Sequence, residues 1–188
     1  MEHKGTVYLE TPRLILRRFE PADMAPIYDN CWRHRSVTKW TSYAPMDCLE
    51  DVRNKAEMFT EKWLSYDHPK RYSWAIVEKE SNQVIGRMFG MRPNDEIGQV
   101  ELAYELGPDW WNLGLMTEAV QAVLLFFLKD VGMNRVFAYH ASGNPASGRV
   151  MRKCGMVYEG TLRQAGKCNN GIIDMVCYGL LASDLKNM

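Results

Sequence analysis

The stretch WWNLGLMTEA, residues 110–119, lies between two segments with different periodicities. Upstream, apolar residues alternate with polar or small ones over Val100–Leu106, which predicts a β-strand. Downstream, Thr117–Asp130 is apolar on nearly all sides, which predicts a buried helix packed on a sheet. A strand that turns at Gly114 into a helix presents unpaired backbone N–H groups and the positive end of the helix dipole. The stretch therefore predicts an anion site that suits a pyrophosphate, or else a plain connecting loop.

Working outward, the remaining periodicities predict short strands and helices on both sides of this stretch. Before it, they predict a strand at 13–17, a helix from Pro21, a second helix from about Asp47 to Tyr66, and a hairpin over 72–77 and 84–89. After it, they predict a strand at 135–140, a helix at 146–153, a strand at 156–162 and, beyond a hairpin turn at Asn170-Gly171, a strand at 172–181. The order is β-α-α-β-β-β-α-β-α-β-β. It predicts an α+β fold with a mixed central sheet of about seven strands flanked by about four helices.

Length and composition limit the classes of function. A chain of 188 residues, 46% of them hydrophobic, is expected to form one domain over residues 1–188. Lys plus Arg and Asp plus Glu both number 23, so no net field favours nucleic acid or an anionic membrane as a partner. The five cysteines lack the paired spacing of a zinc or redox site, and no metal is expected. We see no secretory leader and no apolar run of the roughly 20 residues that span a bilayer, and expect a cytoplasmic protein.

Residues 111–119 resemble the W-G-x-G-[YLI]-[AM]-T-E-A segment of the GNAT acetyltransferase superfamily, in the branch of the Rim-type ribosomal-protein N-terminal acetyltransferases. Further segments resemble motifs of that branch in the same order: Glu10–Arg17, Asp23, Ile85-Gly86, Glu101–Leu106, Asn144–Ser147, Lys153–Met156, Glu159-Gly160, and Asp174 with Tyr178. The P-loop and GxGxxG dinucleotide patterns are absent. The resemblance covers nearly the whole chain and implies the GNAT fold. It also implies transfer of an acetyl group from acetyl-CoA, the co-substrate, to a primary amine.

The resemblance further implies where acetyl-CoA binds. The pyrophosphate would be held by five consecutive backbone N–H groups, those of Leu113, Gly114, Leu115, Met116 and Thr117. The pantetheine arm would lie along the strand end at Tyr104 and Leu106, where that strand separates from the next, and would contact Asn144. Two residues depart from the motif: Asn112 replaces a small residue, and Leu113 stands where a basic residue is common. Without a basic side chain at 113, the site is expected to rely mainly on backbone donors.

The implied reaction needs a neutral amine, a polarised thioester carbonyl and a donor for the departing thiolate. Glu101 matches the strand glutamate of the family and is the expected base, with Glu105 on the same strand face in reserve. A salt-bridged or solvated carboxylate is the alternative for Glu101. Many GNAT enzymes have a tyrosine donor where this chain has Met151. The Rim-type branch resembles an arrangement that uses the serine at 147, so Ser147 is the expected donor, with helix capping as the alternative.

The acceptor pocket is expected beside the first helices and the closing hairpin, where Trp32, Trp40 and Tyr43 would line it; core packing is the alternative for these aromatic residues. An α-amine has a pKa of about 7.7–8.0 and lysine one of about 10.4, so a modest base suffices for an α-amine. We therefore expect a protein N-terminal α-amine as the acceptor. A small amine (amino acid, polyamine or drug) and a non-catalytic acetyl-CoA-binding regulatory module are the alternatives. Relatives are often dimers, so the resemblance leaves a homodimer open.

Overall fold

The computed structural model describes residues 1–43, 48, 50, 52 and 69–187. Within these residues, eight strands form one sheet in the order β1-β2-β3-β4-β5-β6-β8-β7. The strands are β1 (Leu9–Glu10), β2 (Leu14–Arg17), β3 (Tyr72–Glu78), β4 (Gln83–Asn94), β5 (Gln99–Leu106), β6 (Arg135–Ala141), β7 (Val157–Cys168) and β8 (Gly171–Leu181). Neighbouring strands are antiparallel except β5 and β6, which are parallel. The predicted α+β fold with a mixed sheet is confirmed, with the two-residue β1 as an additional strand.

The α-helices of the described residues are α1 (Met24–Ile27), α2 (Arg35–Thr38), α3 (Leu115–Leu125) and α4 (Pro145–Lys153). A 3₁₀ turn at Pro21–Asp23 and a π-helical turn at Tyr28–Trp32 extend α1 on its two sides, and a π-helical turn at Phe126–Val131 continues α3. The helix predicted from Asp47 to Tyr66 falls largely outside the described residues. None of the described helices combines the length and apolarity needed to cross a bilayer.

Two strands run further than their apolar patterns predicted. β4 ends at Asn94 instead of 89, and β7 ends at Cys168 instead of 162. In β7 nearly every side chain is exposed, and the pairing with β8 shifts register between Leu162 and Gly166. An exposed edge strand with an irregular register has no buried face to impose apolar alternation, so the sequence pattern could not show its full length.

The main core lies between α3 and one face of the sheet. Val100, Leu102 and Leu106 of β5 belong to it, together with Val123 and Phe127 on the helical side. Each fully buried side chain of this size contributes about 1.5–3 kcal/mol to folding. Because side chains of a strand alternate between faces, the residues in between, Glu101, Ala103 and Glu105, belong to the opposite face. β5 therefore supplies apolar groups to the core on one side and carboxylates on the other.

The sheet is open between β5 and β6. These two strands pair only through Gln99–Arg135, Val100–Val136 and Glu101–Phe137. β5 continues to Leu106 and stays paired with β4 on its other edge. The backbone from Leu102 to Leu106 therefore has no strand partner in β6. This is the separation of strands that the sequence resemblance implied.

Candidate active site

A cleft of about 1540 Å³ runs through the opening between β5 and β6. It is lined by nine of the residues predicted for catalysis or cofactor binding: Glu101, Tyr104, Leu106, Gly114, Leu115, Met116, Thr117, Asn144 and Ser147. The side chain of Leu113 is about half exposed and lies outside this lining. Among the described residues, no group of three or more His, Cys, Asp or Glu side chains is arranged to hold a metal. The arrangement therefore brings most of the predicted site into one space that reaches both faces of the sheet.

The loop before α3 has the backbone shape that its sequence suggested. Asn112 has φ of 62° and Gly114 has φ of 79°, both in the left-handed region, which glycine enters freely and asparagine more easily than most residues. Gly114 is the N-cap of α3, so the helix begins two residues before the predicted Thr117, and no side chain caps its first turn. The N–H groups at this helix end have no intrahelical partner and can bind an anion in the cleft.

Arg13, the residue before β2, holds this loop in place through hydrogen bonds. The Arg13 Nη1 donates to the Leu113 carbonyl oxygen (2.9 Å), while the Arg13 Nε and backbone N donate to the Glu118 carboxylate (2.8 and 2.9 Å). The Thr11 hydroxyl donates to the same carboxylate (2.6 Å). Burial opposes ionisation of Glu118, but these hydrogen bonds hold its pKa below the ordinary value. The predicted first-strand motif and the T-E-A motif are thus in contact through Arg13. Nothing in the sequence indicated this contact.

Glu101 is a largely buried carboxylate beside the opening between β5 and β6. It lies at the last paired position of β5, and its side chain is 12% exposed. Its charged neighbour is Arg92, whose Nη1 lies 3.3 Å from the Glu101 Oε2 and whose own side chain is 83% exposed. Burial raises the pKa of Glu101, and Arg92 offsets this only partly. The carboxylate is therefore loosely paired and more basic than an exposed glutamate.

Glu105, the reserve base, is held in a different way. Its Oε1 accepts hydrogen bonds from the Trp32 Nε1 (2.6 Å) and the Arg87 Nε (2.5 Å), and its Oε2 accepts one from the Tyr43 hydroxyl (2.7 Å). The Arg87 guanidinium also lies over the rings of Trp32, Tyr43 and Phe89, at 4.7, 5.1 and 4.9 Å. Charge-assisted hydrogen bonds of this kind are stronger than neutral ones. They fix the Glu105 carboxylate between Trp32, Tyr43 and Arg87, whereas Glu101 has one exposed charged neighbour.

Two of the three predicted pocket aromatics line the cleft, and the third does not. Trp40 and Tyr43 are cleft residues. Trp32 is fully buried in the second core cluster, on the face of the sheet opposite α3. The prediction of Trp32 as a pocket wall is therefore wrong, because its ring is fully buried and it contacts cleft residues, Glu105 and Arg87, from behind. Its hydrogen-bond partner is the feature that the sequence could not show.

Ser147 is the third residue of α4, and its hydroxyl faces the cleft end of β5. Its Oγ donates to the Tyr104 hydroxyl oxygen (3.0 Å), and the Tyr104 hydroxyl donates to the Ser147 carbonyl oxygen (3.1 Å). No side chain caps the first turn of α4, so the capping alternative for Asn144 and Ser147 is not what the structure shows. Met151, at the position of the tyrosine donor of other families, is 1% exposed in the core.

The tip of the β7–β8 hairpin is hydrogen-bonded to the segment that carries Trp40 and Tyr43. The Asn169 side-chain amide donates to the carbonyl oxygens of Thr38 (2.9 Å) and Tyr43 (2.7 Å), and its backbone N donates to that of Thr41 (3.0 Å). The Asn170 N donates to the Lys39 carbonyl oxygen (3.1 Å). These bonds tie the hairpin to the segment after α2 that carries the pocket aromatics. The sequence predicted the turn at this position, and the resemblance implied that the hairpin lies beside the first helices, but neither indicated the hydrogen bonds of Asn169 and Asn170.

Comparisons with known proteins agree with this geometry. The sequence profile of the acetyltransferase (GNAT) domain matches residues 13–157. The chain is 30% identical over 173 residues to the uncharacterized N-acetyltransferase p20 of Bacillus licheniformis, an overlap of 92% of this chain and 95% of p20. It is 22% identical over 164 residues to the ribosomal protein uS5-alanine N-acetyltransferase of Escherichia coli, covering 82% and 80% of the two chains.

A solved structure has the same fold. The crystal structure of a GNAT-family acetyltransferase from Bacillus anthracis superimposes with a TM-score of 0.80 at 24% identity. The match covers 94% of this chain and 99% of the other. At this level of sequence identity, the superposition shows that the two proteins share a fold and no more.

Proposed function

Since the chain belongs to the acetyltransferase (GNAT) family and is an N-acetyltransferase that uses acetyl-CoA, we propose that its acceptor is a protein N-terminal α-amine. The observation that carries this proposal is Glu101, a largely buried carboxylate of raised pKa beside the strand opening. An α-amine needs only a modest base, because its pKa is about 7.7–8.0, whereas that of lysine is about 10.4. The similarity to the E. coli enzyme named for an alanine of uS5 supports the same class of acceptor.

The cleft fits acetyl-CoA on the side of α3 and α4. The N–H groups of the α3 N-terminus suit its pyrophosphate, and the unpaired backbone of β5 up to Leu106 suits the amide-rich pantetheine arm, as an added strand would. Arg149 and Lys153 of α4 line the same cleft. Their positive charges compensate for the absence of a basic side chain at residue 113. Phosphate binding is therefore proposed to rest on these two side chains as well as on backbone donors.

In the proposed reaction, acetyl-CoA supplies the thioester whose acetyl group is transferred. Glu101 accepts a proton from the α-amine as the nitrogen attacks the acetyl carbon. A C–N bond forms, and the C–S bond breaks with its electron pair on sulfur. The Ser147 hydroxyl donates a hydrogen bond to the departing sulfur, which offsets its developing charge. The thiolate then takes a proton and Glu101 releases the one it accepted, so the two exchanges balance.

A small amine is the second candidate acceptor. The hydrogen bonds of Asn169 hold the segment that carries Trp40 and Tyr43, two residues of the cleft wall, in place, which favours a compact substrate. A peptide would have to enter by its terminal residue alone. The two candidates therefore differ in how much of the acceptor lies outside the cleft.

An assay that measures release of the CoA thiol with a panel of acceptors distinguishes the two candidate acceptor classes. The panel contains peptides that begin with alanine, serine or threonine, the same peptides with a blocked N-terminus and an internal lysine, and free amino acids, polyamines and amine drugs. We expect kcat/KM for at least one free-N-terminus peptide to exceed that of every small amine by about 100-fold or more, because remote contacts contribute binding energy to the reaction. A small amine that is turned over faster than all peptides would contradict the proposal. Turnover of the blocked peptides would instead indicate a lysine acceptor.

Replacing Arg13 by alanine should weaken acetyl-CoA binding about tenfold, which corresponds to about 1.4 kcal/mol. The change removes the hydrogen bond to the Leu113 carbonyl and the ion pair with Glu118, so the backbone donors of the loop lose their fixed orientation. Titration calorimetry with acetyl-CoA measures the effect. Arg163→Ala, an exposed arginine of β7, is the matched control and should bind normally. An unchanged dissociation constant for Arg13→Ala would show that the loop needs no support from Arg13.

A further inference from the structure

Tyr104 and Ser147 are joined by two hydrogen bonds, although they lie 43 residues apart. Tyr104 belongs to β5 and Ser147 to the first turn of α4. The serine hydroxyl donates to the tyrosine hydroxyl, which in turn donates to the serine carbonyl. The pair forms a closed arrangement in which each hydroxyl proton has a defined acceptor. The orientation of the Ser147 hydroxyl is therefore set by Tyr104 rather than by the helix.

This pair lies where β5 has separated from β6. Tyr104 is three positions beyond Glu101, the last residue of β5 that pairs with β6. Both hydroxyl-bearing residues line the cleft. By the two-residue period of a strand, Tyr104 is on the face of Leu102 and Leu106, opposite Glu101. The expected base and the serine donor thus reach the opening from opposite faces of β5.

Packing alone does not call for a hydroxyl at residue 104. The ring would fill the same space in a phenylalanine, without the cost of burying a polar group. A serine in the first turn of a helix commonly bonds to nearby backbone N–H groups, yet the hydroxyl of Ser147 turns to Tyr104 instead. Burial raises the pKa of Tyr104 well above its ordinary value, so its hydroxyl keeps its proton at every pH at which the enzyme works. A permanently protonated hydroxyl can accept from one partner and donate to another.

We propose that Tyr104 is a positioning residue that holds the Ser147 hydroxyl ready for the departing thiolate and then supports it. The inference rests on the proposed role of Ser147 as donor to the sulfur. When the serine hydroxyl turns its proton toward the sulfur, its oxygen becomes available as an acceptor. The Tyr104 hydroxyl can then rotate from the Ser147 carbonyl to the Ser147 Oγ. No O–H bond breaks in this exchange, and the two aligned donors stabilise the negative charge that grows on sulfur.

A double-mutant cycle tests this coupling. The variants are Tyr104→Phe, Ser147→Ala and the double variant, with single-turnover acetyl transfer measured at saturating acetyl-CoA. We expect Ser147→Ala to slow the step by roughly 10- to 100-fold and Tyr104→Phe by about tenfold. The double variant should be no slower than Ser147→Ala alone. Acetyl-CoA affinity should change less than about twofold, because the proposed contacts act on the departing sulfur.

Two further variants separate positioning from a structural role. Ser147→Thr keeps the hydroxyl, so adding Tyr104→Phe to it should again cost about tenfold. Tyr178→Phe removes the hydroxyl of another buried tyrosine, outside the cleft lining, and should leave the rate unchanged. Independent effects of Tyr104→Phe and Ser147→Ala that multiply in the double variant would overturn the inference. A normal rate for Ser147→Ala would exclude Ser147 as the donor to the sulfur. The proposed acceptor class would be unaffected by that result, because acceptor preference and acetyl-CoA binding are measured separately.

Discussion

Replacing Glu101 by glutamine should lower kcat/KM at pH 7 by about 100- to 1000-fold, the range of a lost general base. Glutamine keeps the size and the hydrogen-bonding oxygen of the side chain but cannot accept a proton from the attacking amine. The neighbour Arg92 is exposed and would lose a 3.3 Å contact, which is worth little at a surface. Acetyl-CoA binds on the other face of β5 in the proposed arrangement. Its dissociation constant should therefore stay near that of the wild type.

The pH dependence of this deficit identifies the base. Burial raises the pKa of Glu101, so wild-type activity should fall on acidification at a higher pH than for an exposed glutamate. Protonation of the acceptor amine, with a pKa of about 7.7–8.0, adds a second ionisation on the same side. The variant should keep only the ionisation of the amine. The deficit of the variant should therefore be the same at every pH above the pKa of Glu101 and should shrink as the pH falls below that pKa.

Stability measurements complete the test of Glu101. A carboxyl whose folded-state pKa is raised gives stability at low pH that is lost as pH rises through the window from its unfolded to its folded pKa. At neutral pH the ionised Glu101 is therefore a cost, and Glu101→Gln should melt at or above the wild-type temperature. Glu96→Gln, an exposed glutamate in the turn before β5, is the matched control and should leave kcat/KM unchanged. Identical pH profiles for Glu101→Gln and the wild type would exclude Glu101 as the base.

The sequence predicted the α3 side of the cleft better than the side of Trp40 and Tyr43, for a physical reason. The loop before α3 is a local feature: Asn112 and Gly114 have positive φ, and the helix after them starts at once. A helix N-terminus of this kind depends on consecutive residues, so the sequence alone can indicate it. The opening between β5 and β6 was implied by resemblance alone, because strand pairing depends on residues about 35 positions apart along the chain.

The other side of the cleft depends on contacts between distant segments. Trp32 meets Glu105 across 73 positions, and Asn169 meets Thr38 across 131 positions. No periodicity in the sequence links such pairs, so the sequence does not tell a pocket aromatic from a core aromatic at position 32. The family motif favours Glu101 over Glu105, although both lie on one face of one strand. The donors around Glu105 add a physical difference between the two that the sequence does not show.

Replacing Glu105 by alanine should lower the free energy of unfolding by about 3–5 kcal/mol, the cost of removing one partner of a buried ion pair. Arg87, 4% exposed, would lose the carboxylate that faces it, and Trp32 and Tyr43 would lose their acceptor. For a chain of this length the melting temperature should fall by about 10 °C. Denaturant unfolding and thermal melting measure the change. Glu80→Ala, an exposed glutamate in the turn after β3, is the matched control and should melt within about 1 °C of the wild type.

Glu105→Gln turns the same experiment into a test of which carboxylate is the base. Glutamine keeps one oxygen, which can accept from Trp32, but it presents an NH₂ group to Tyr43 and no charge to Arg87. Its stability should therefore lie between those of the wild type and Glu105→Ala. Below its melting temperature it should retain the ionisation of Glu101 in its pH profile, with a raised KM for the acceptor because Tyr43 is held less firmly. A variant that melts normally but loses the low-pH ionisation and most of its turnover would make Glu105 the base. The wild-type contacts argue for the first result, because three donors already occupy the Glu105 carboxylate and hold it away from a substrate amine.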